Sequence, residues 1–255
     1  MADIIVNGQR THYVDTLEGD KTVLLLHGWG SRSQSFSSLV KEWQTERNYR
    51  FIAVDLPGFG GSEVPNQAWS VSDYAEFVKA FLEKLNIASS DYLVGHSLGG
   101  RIVIKGVGTG ILSANNLVLI ASAGAAKRKS ARNFLFKFLA KAGKLLTSVW
   151  PLSSLRHYLR QRLYRAAGSN DYLEAGAMKE TFKKVVEENL LGDARKIKVP
   201  TTLVWGERDD VTPLSEGESL RQAIDDSNLE VIIEAEHFVH ETHPKEVLDK
   251  ILKHE

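Results

Sequence analysis

Asp91-Tyr92-Leu93-Val94-Gly95-His96-Ser97-Leu98-Gly99-Gly100 is the stretch on which the reading of this chain turns. Its first half is a short apolar run of strand-forming residues, and its second half opens a helical pattern over Leu98 to Val107. Between them, Gly95 to Gly99 fits G-x-S-x-G, the spacing of a nucleophile elbow. In that turn a strand passes sharply into a helix, and small residues on either side of the serine let backbone and helix approach while the hydroxyl is pushed out of the sheet. The five residues alone would also fit an ordinary glycine-rich turn. The strand before and the helix after supply the context an elbow requires.

Working outward, the same alternation recurs. Short, nearly continuous apolar runs read as strands at Thr22 to His27, Arg50 to Asp55, Asp91 to His96, Asn116 to Ala121, Thr201 to Trp205 and Leu229 to Ile233. Such runs belong to a parallel sheet covered on both faces. Helical patterns lie between most of them, notably Val71 to Leu85, Leu98 to Val107, Glu216 to Ile224 and Pro244 to Leu252. At the start, Ile4-Ile5-Val6 and Thr11 to Val14 flank Asn7-Gly8, which suits a type I′ hairpin turn. The expected fold class is therefore α/β, a mostly parallel doubly wound sheet. The alternation breaks once, between Ser122 and about Ile197, where the pattern is helical only. A segment that long is expected to be a helical cap inserted into the core. The expected organisation is residues 1–121 and 198–255 as core and 122–197 as cap.

Composition narrows the class. The chain has 255 residues, 43% of them apolar and 25% charged, the proportions of a folded globular domain. Its longest apolar runs fall far short of the roughly 18 residues that span a bilayer. The first residues lack the basic start and apolar core of a signal peptide, so a cytoplasmic protein is expected. With no cysteine, disulfides, thiolate chemistry and cysteine-bound metals are excluded. Net charge is zero, yet between Asp91 and Asp171 there is no Asp or Glu, against thirteen Lys or Arg. That asymmetry marks a basic segment rather than a basic protein.

An elbow serine needs a base, and the base an orienting acid. The acid-free stretch leaves no carboxylate behind the strand ending at Ala121, so the acid comes later. Thr201 to Trp205 exits into Gly206-Glu207-Arg208-Asp209-Asp210, which makes Asp209 the first choice and Asp210 the fallback. Eight histidines compete for the base. His254 is terminal, His12 sits in the hairpin and His157 in the cap. His27 and His96 border glycine turns, where they are expected to brace loops. His237 follows the last strand on a loop into the final helix and is the expected base, with His240 and His243 just beyond. For the oxyanion, the backbone N–H of Leu98 supplies one donor, and the loop His27-Gly28-Trp29-Gly30 supplies the second through Trp29.

Together, HGWG at 27–30, DLPGFGGS at 55–62, GHSLGG at 95–100, WGERDD at 205–210 and EHFVHETHP at 236–244 resemble the α/β-hydrolase superfamily, and within it the capped small serine hydrolases. The resemblance implies Ser97 as nucleophile, Asp209 as acid, His237 as base, and the Trp29 and Leu98 amides as oxyanion hole. Two departures stand out. Glu236 replaces the glycine usual before the final histidine, and Asp209 and Asp210 are adjacent where one Asp is usual. Related dehalogenases and epoxide hydrolases carry Asp at the elbow, so Ser97 argues against both. What remains is acyl transfer through an acyl-enzyme, with no metal or organic cofactor implied. The glycine loops fit neither G-x-G-x-x-G nor a P-loop, which argues against nucleotide binding.

The substrate reading rests on the cap. Phe134, Leu135, Phe138, Leu139, Ala142, Leu145, Leu146 and Val149 share one helical face, with Lys137, Lys141 and Lys144 on another. The favoured expectation is an apolar roof over an acyl pocket, the substrate being a small apolar ester. The competing one is a basic amphipathic helix touching an anionic membrane. Lys127-Arg128-Lys129 and Arg160, Arg162 and Arg165 would draw an anionic substrate. No nucleic-acid module is present. The alternatives to a serine esterase are a C–C bond hydrolase of meta-cleavage type and a ligand-binding receptor on a hydrolase scaffold.

Overall fold

Asn7 and Gly8, at φ 50° and 81°, turn the chain between β1 (Ala2–Val6) and β2 (Gln9–Asp15), as an Asn-Gly pair does in a tight hairpin. The computed structural model describes residues 1–46, 48–125 and 175–254. Beyond the hairpin come β3 (Lys21–Leu26), β4 (Tyr49–Val54), β5 (Ser90–His96), β6 (Ala114–Ile120), β7 (Thr201–Gly206) and β8 (Ser227–Ile232). They form one sheet in the order β1-β2-β4-β3-β5-β6-β7-β8, antiparallel at β1, β2 and β4 and parallel from there on. This is the expected mostly parallel doubly wound sheet. Each expected strand is present, with ends shifted by one or two residues. Strand β8 stops one residue early because Ile233 turns outward, 66% exposed, ahead of Glu234 at φ 60°.

Among the described residues the α-helices are α1 (Ser37–Trp43), α2 (Val71–Lys84), α3 (Leu98–Gly108), α4 (Lys179–Glu187), α5 (Leu191–Ala194), α6 (Leu214–Ala223), α7 (Val239–Thr242) and α8 (Pro244–Leu252). Helix α6 starts two residues before the expected Glu216, immediately after Pro213. On one face of the sheet, Val23, Leu25, Phe51, Ala53, Tyr92, Val94, Val118 and Ile120 pack with Leu39 and Trp43 of α1 and Val247, Leu248 and Ile251 of α8. The Trp43 ring meets Tyr49, Phe51 and Tyr92 at centroid distances of 5.7, 5.7 and 5.2 Å. The alternate residues Leu24, Leu26, Ile52, Val54, Leu93, Leu117 and Leu119 are equally buried, so the central strands are covered on both sides.

The chain divides into two compact units, Met1–Ala126 with Lys183–Glu255, and Lys127–Phe182. Residues 183–197, read from sequence as the end of the cap, belong to the first unit. The amphipathic stretch 132–150, the basic patches at 127–129 and 160–165, and His157 lie outside the described residues. Among the described residues no helix is long and apolar enough to cross a membrane.

Strand order positions the site. Strands β3 and β5 are neighbours with Leu26 opposite Gly95, so the loop from His27 and the turn at Ser97 leave the sheet side by side. Gly206 pairs with Ile232, which brings the loops after β7 and β8 together at the same edge. Ligands of open α/β sheets bind along this carboxyl edge.

Candidate active site

Ser97 sits at φ 49° and ψ −105°, a backbone state that L-residues rarely adopt. The turn is held in place by the Ser97 N–H, which donates to the Ile120 carbonyl at 3.1 Å, and by the Ser97 carbonyl, which accepts from Arg101 at 3.2 Å. Close approach explains the glycine two residues on: a Cβ at Gly99 would lie 1.9 Å from the Leu26 carbonyl oxygen, and the Gly99 N–H instead donates to the His27 carbonyl at 3.0 Å. The serine thus occupies the strained strand-to-helix corner that its sequence motif implies.

Asp209 and His237 are brought together. His237 Nδ1 lies 2.8 Å from Asp209 Oδ2, with both side chains buried. A carboxylate only accepts, so Nδ1 carries the proton and Nε2 keeps its lone pair. The aspartate is fixed from three further directions. Its Oδ1 accepts from the Val211 and Thr212 amides at 2.9 and 2.8 Å, and its Oδ2 from the Thr212 hydroxyl at 2.8 Å. Asp210, the fallback acid, is exposed. Thr212 is a site residue the sequence reading missed. Its signal was available in the Asp-x-x-Thr spacing, which favours a local side-chain-to-backbone turn. Trp205 steadies the same loop, its Nε1–H donating to the Thr212 carbonyl at 2.8 Å.

The glycine loop borders the serine. A Cβ at Gly28 would meet Ser97 Cβ at 3.2 Å and His96 Nδ1 at 2.8 Å, so only glycine lets this backbone lie against the elbow. Trp29 follows, its ring edge-on to Phe59 at 4.8 Å. Leu98 is the first residue of α3. The five expected site residues therefore lie at four strand exits, those of β3, β5, β7 and β8, along one edge of the sheet.

A sequence-family comparison matches residues 23–250 to a model described as the alpha/beta hydrolase family. The chain belongs to that family. Among curated relatives, it is 28% identical over 266 residues to the 2-hydroxy-6-oxononadienedioate/2-hydroxy-6-oxononatrienedioate hydrolase of Escherichia coli strain K12, covering 92% of this chain and 86% of the relative. Among solved structures it is similar to a membrane phospholipase A described as a bacterial virulence factor, with TM-score 0.75, 23% identity, and 99% and 84% of the two chains covered. It is also similar to an esterase from Exiguobacterium antarcticum, with TM-score 0.73, 20% identity, and 99% and 98% covered.

Three histidine rings of this hydrolase pack against one another at a tilt, beginning with His96 next to Ser97. The His96 ring lies 4.7 Å from that of His237 and 4.3 Å from that of His240, and Phe36 closes the far side of His240 at 4.9 Å. His96 Nε2 lies 3.2 Å from the His237 carbonyl, to which it donates. His240 is fully buried in α7, and neither ring nitrogen has a hydrogen-bond partner. Burial holds His240 down to about pKa 3 and His27 to about 4, and lowers His96 well below its ordinary value. In the unfolded chain all three take up a proton near the ordinary 6.5. Below that pH the unfolded state binds more protons than the native one, so stability is full above 6.5 and falls as the pH drops towards the native values. The expected loss steepens towards about 1.4 kcal/mol per pH unit for each histidine as the pH falls well below 6.5. Urea denaturation at pH 7, 6 and 5 measures it. A flat profile over that range, above the titration of most carboxylates, would contradict the neutral buried state.

Proposed function

We propose that this hydrolase cleaves carboxylic esters with an apolar acyl or alcohol part through an acyl-enzyme. The observation that carries the reading is the 2.8 Å Asp209–His237 bond, which leaves Nε2 of His237 to act as base, the ring lying 4.7 Å from that of His96, the residue before the strained serine. Ser97 Oγ attacks the ester carbonyl as Nε2 takes its proton. The Leu98 and Trp29 amides receive the oxyanion. His237 then protonates the leaving alcohol, and a water activated by the same nitrogen releases the acid. Asp209 keeps the imidazole in the Nδ1–H form and stabilises its protonated state.

The apolar preference is read from the sequence alone, from the spacing of Phe134, Leu135, Phe138 and Leu139. A p-nitrophenyl ester series from acetate to decanoate tests it. Each methylene buried contributes about 0.8 kcal/mol, so kcat/KM is expected to rise about fourfold per methylene until the pocket is full. A profile that is flat or falls from acetate would contradict the apolar pocket. The E. coli relative motivates a second reading, C–C cleavage of a 2-hydroxy-6-oxo-dienoate by the same residues. Rapid turnover of such a substrate with none of any ester would replace the ester reading.

A further inference from the structure

His27 is fully buried, yet takes no part in the proton transfers described above. Both of its ring nitrogens are engaged by backbone. Nδ1 lies 2.7 Å from the Gly28 carbonyl oxygen, which only accepts, so Nδ1 carries the proton and donates. Nε2 lies 2.9 Å from the Leu56 amide nitrogen, which only donates, so Nε2 accepts. Together the two bonds admit one species, the neutral imidazole protonated on Nδ1. Burial favours the same species, holding the pKa down to about 4 despite the Gly28 bond and the nearby Asp55 charge.

What the ring grips is the peptide before Trp29. The Gly28 carbonyl also accepts from the Ser31 N–H at 3.2 Å, across a tight turn with Gly30 at φ 70°. In a planar trans peptide the N–H points opposite to the preceding carbonyl, so a carbonyl held by two donors fixes the direction of the next N–H. The ring cannot follow the carbonyl if the loop moves. It is tied to Leu56, in a loop braced by Asp55, whose oxygens accept from the Ser33 and Gly61 amides at 2.6 and 2.7 Å. We infer that His27 is a positioning residue, whose Nδ1–H clamp on the Gly28 carbonyl pre-sets the Trp29 N–H as an oxyanion donor. This rests on the proposed acyl-transfer reading, in which Trp29 serves the oxyanion.

Two substitutions separate the halves of the clamp. His27→Asn places an amide N–H near the Nδ1 position and retains the grip on Gly28. His27→Gln reaches the Nε2 position with its carbonyl oxygen, retaining the Leu56 bond and losing the Gly28 one. The readouts are the rate of Ser97 phosphonylation by a fluorophosphonate probe and the kcat and KM of a short p-nitrophenyl ester, with melting temperature measured alongside. The Asn variant is expected within about threefold of wild type, and the Gln variant on the order of 100-fold slower in labelling and kcat with KM little changed, the usual loss for an oxyanion donor. A Gln variant as fast as wild type overturns the inference, as does a folded Asn variant slowed 100-fold. Losses in both variants that simply track melting temperature also overturn it. If the Gln variant does not fold, the folded Asn variant decides alone. Failure of the wild type to be labelled overturns the serine-hydrolase reading and this inference together, whereas a labelled wild type with a fully active Gln variant overturns this one only.

Discussion

Ser97→Ala is expected to lower kcat for ester hydrolysis by about 10⁴- to 10⁶-fold, with secondary structure and melting temperature unchanged. The size follows from the role: without the hydroxyl no acyl-enzyme forms, and only binding and the oxyanion donors remain. Folding is spared because the bonds that hold the corner, from Ser97 N–H to Ile120 and from Arg101 N–H to the Ser97 carbonyl, are made by backbone. Alanine carries the same Cβ as serine, so the φ of 49° is no harder for it to adopt. Steady-state turnover and circular dichroism of the two proteins check both halves. Activity within tenfold of wild type would remove Ser97 from the chemistry.

Asp209→Asn is expected to lower kcat on the order of 10⁴-fold, whereas Asp210→Asn is expected to change it less than about twofold. Asparagine is nearly isosteric, and its oxygen can still accept from the Val211 and Thr212 amides, so the loop keeps its shape. What changes is the partner of His237. An amide N–H facing Nδ1 donates to it, which forces the proton onto Nε2 and removes the lone pair that the proposed mechanism uses as its base. Asp210 is exposed, so its loss removes a surface charge. Parallel measurement of kcat for the two variants decides between the neighbours. A large loss at 210 with a small one at 209 would show that the acid was placed one residue too early.

The sheet was legible because its strands are nearly continuous apolar runs, and a run such as Val23-Leu24-Leu25-Leu26 has few other uses in a globular chain. The elbow was legible because its glycines answer to backbone contacts, as at Gly99 against Leu26. Helix α1 was not read: Ser37–Trp43 is only two turns long, and its identity depends on Leu39 and Trp43 packing against distant strands and α8. The same holds for His240. Its neighbours in sequence, Glu241 and His243, suggest a polar loop, and only the closure of Phe36 and His96 around it shows that it is core. Asp209 could be chosen over Asp210 from strand exit and spacing, while the hold of the Thr212 amide and hydroxyl on its carboxylate appears only once the loop is folded.

The proposed ester cleavage turns on a covalent intermediate at one side chain, which a mass measurement tests directly. The protein is mixed with p-nitrophenyl butyrate, quenched in acid within the first turnovers, and digested with trypsin, which releases Leu85–Arg101 as the peptide carrying Ser97. The expected result is a butyryl group on that peptide, localised by fragmentation to Ser97, and its absence from the Ser97→Ala protein. An acyl group on a different residue, or steady turnover with no acylated peptide in a quench that captures the pre-steady-state phase, would contradict it.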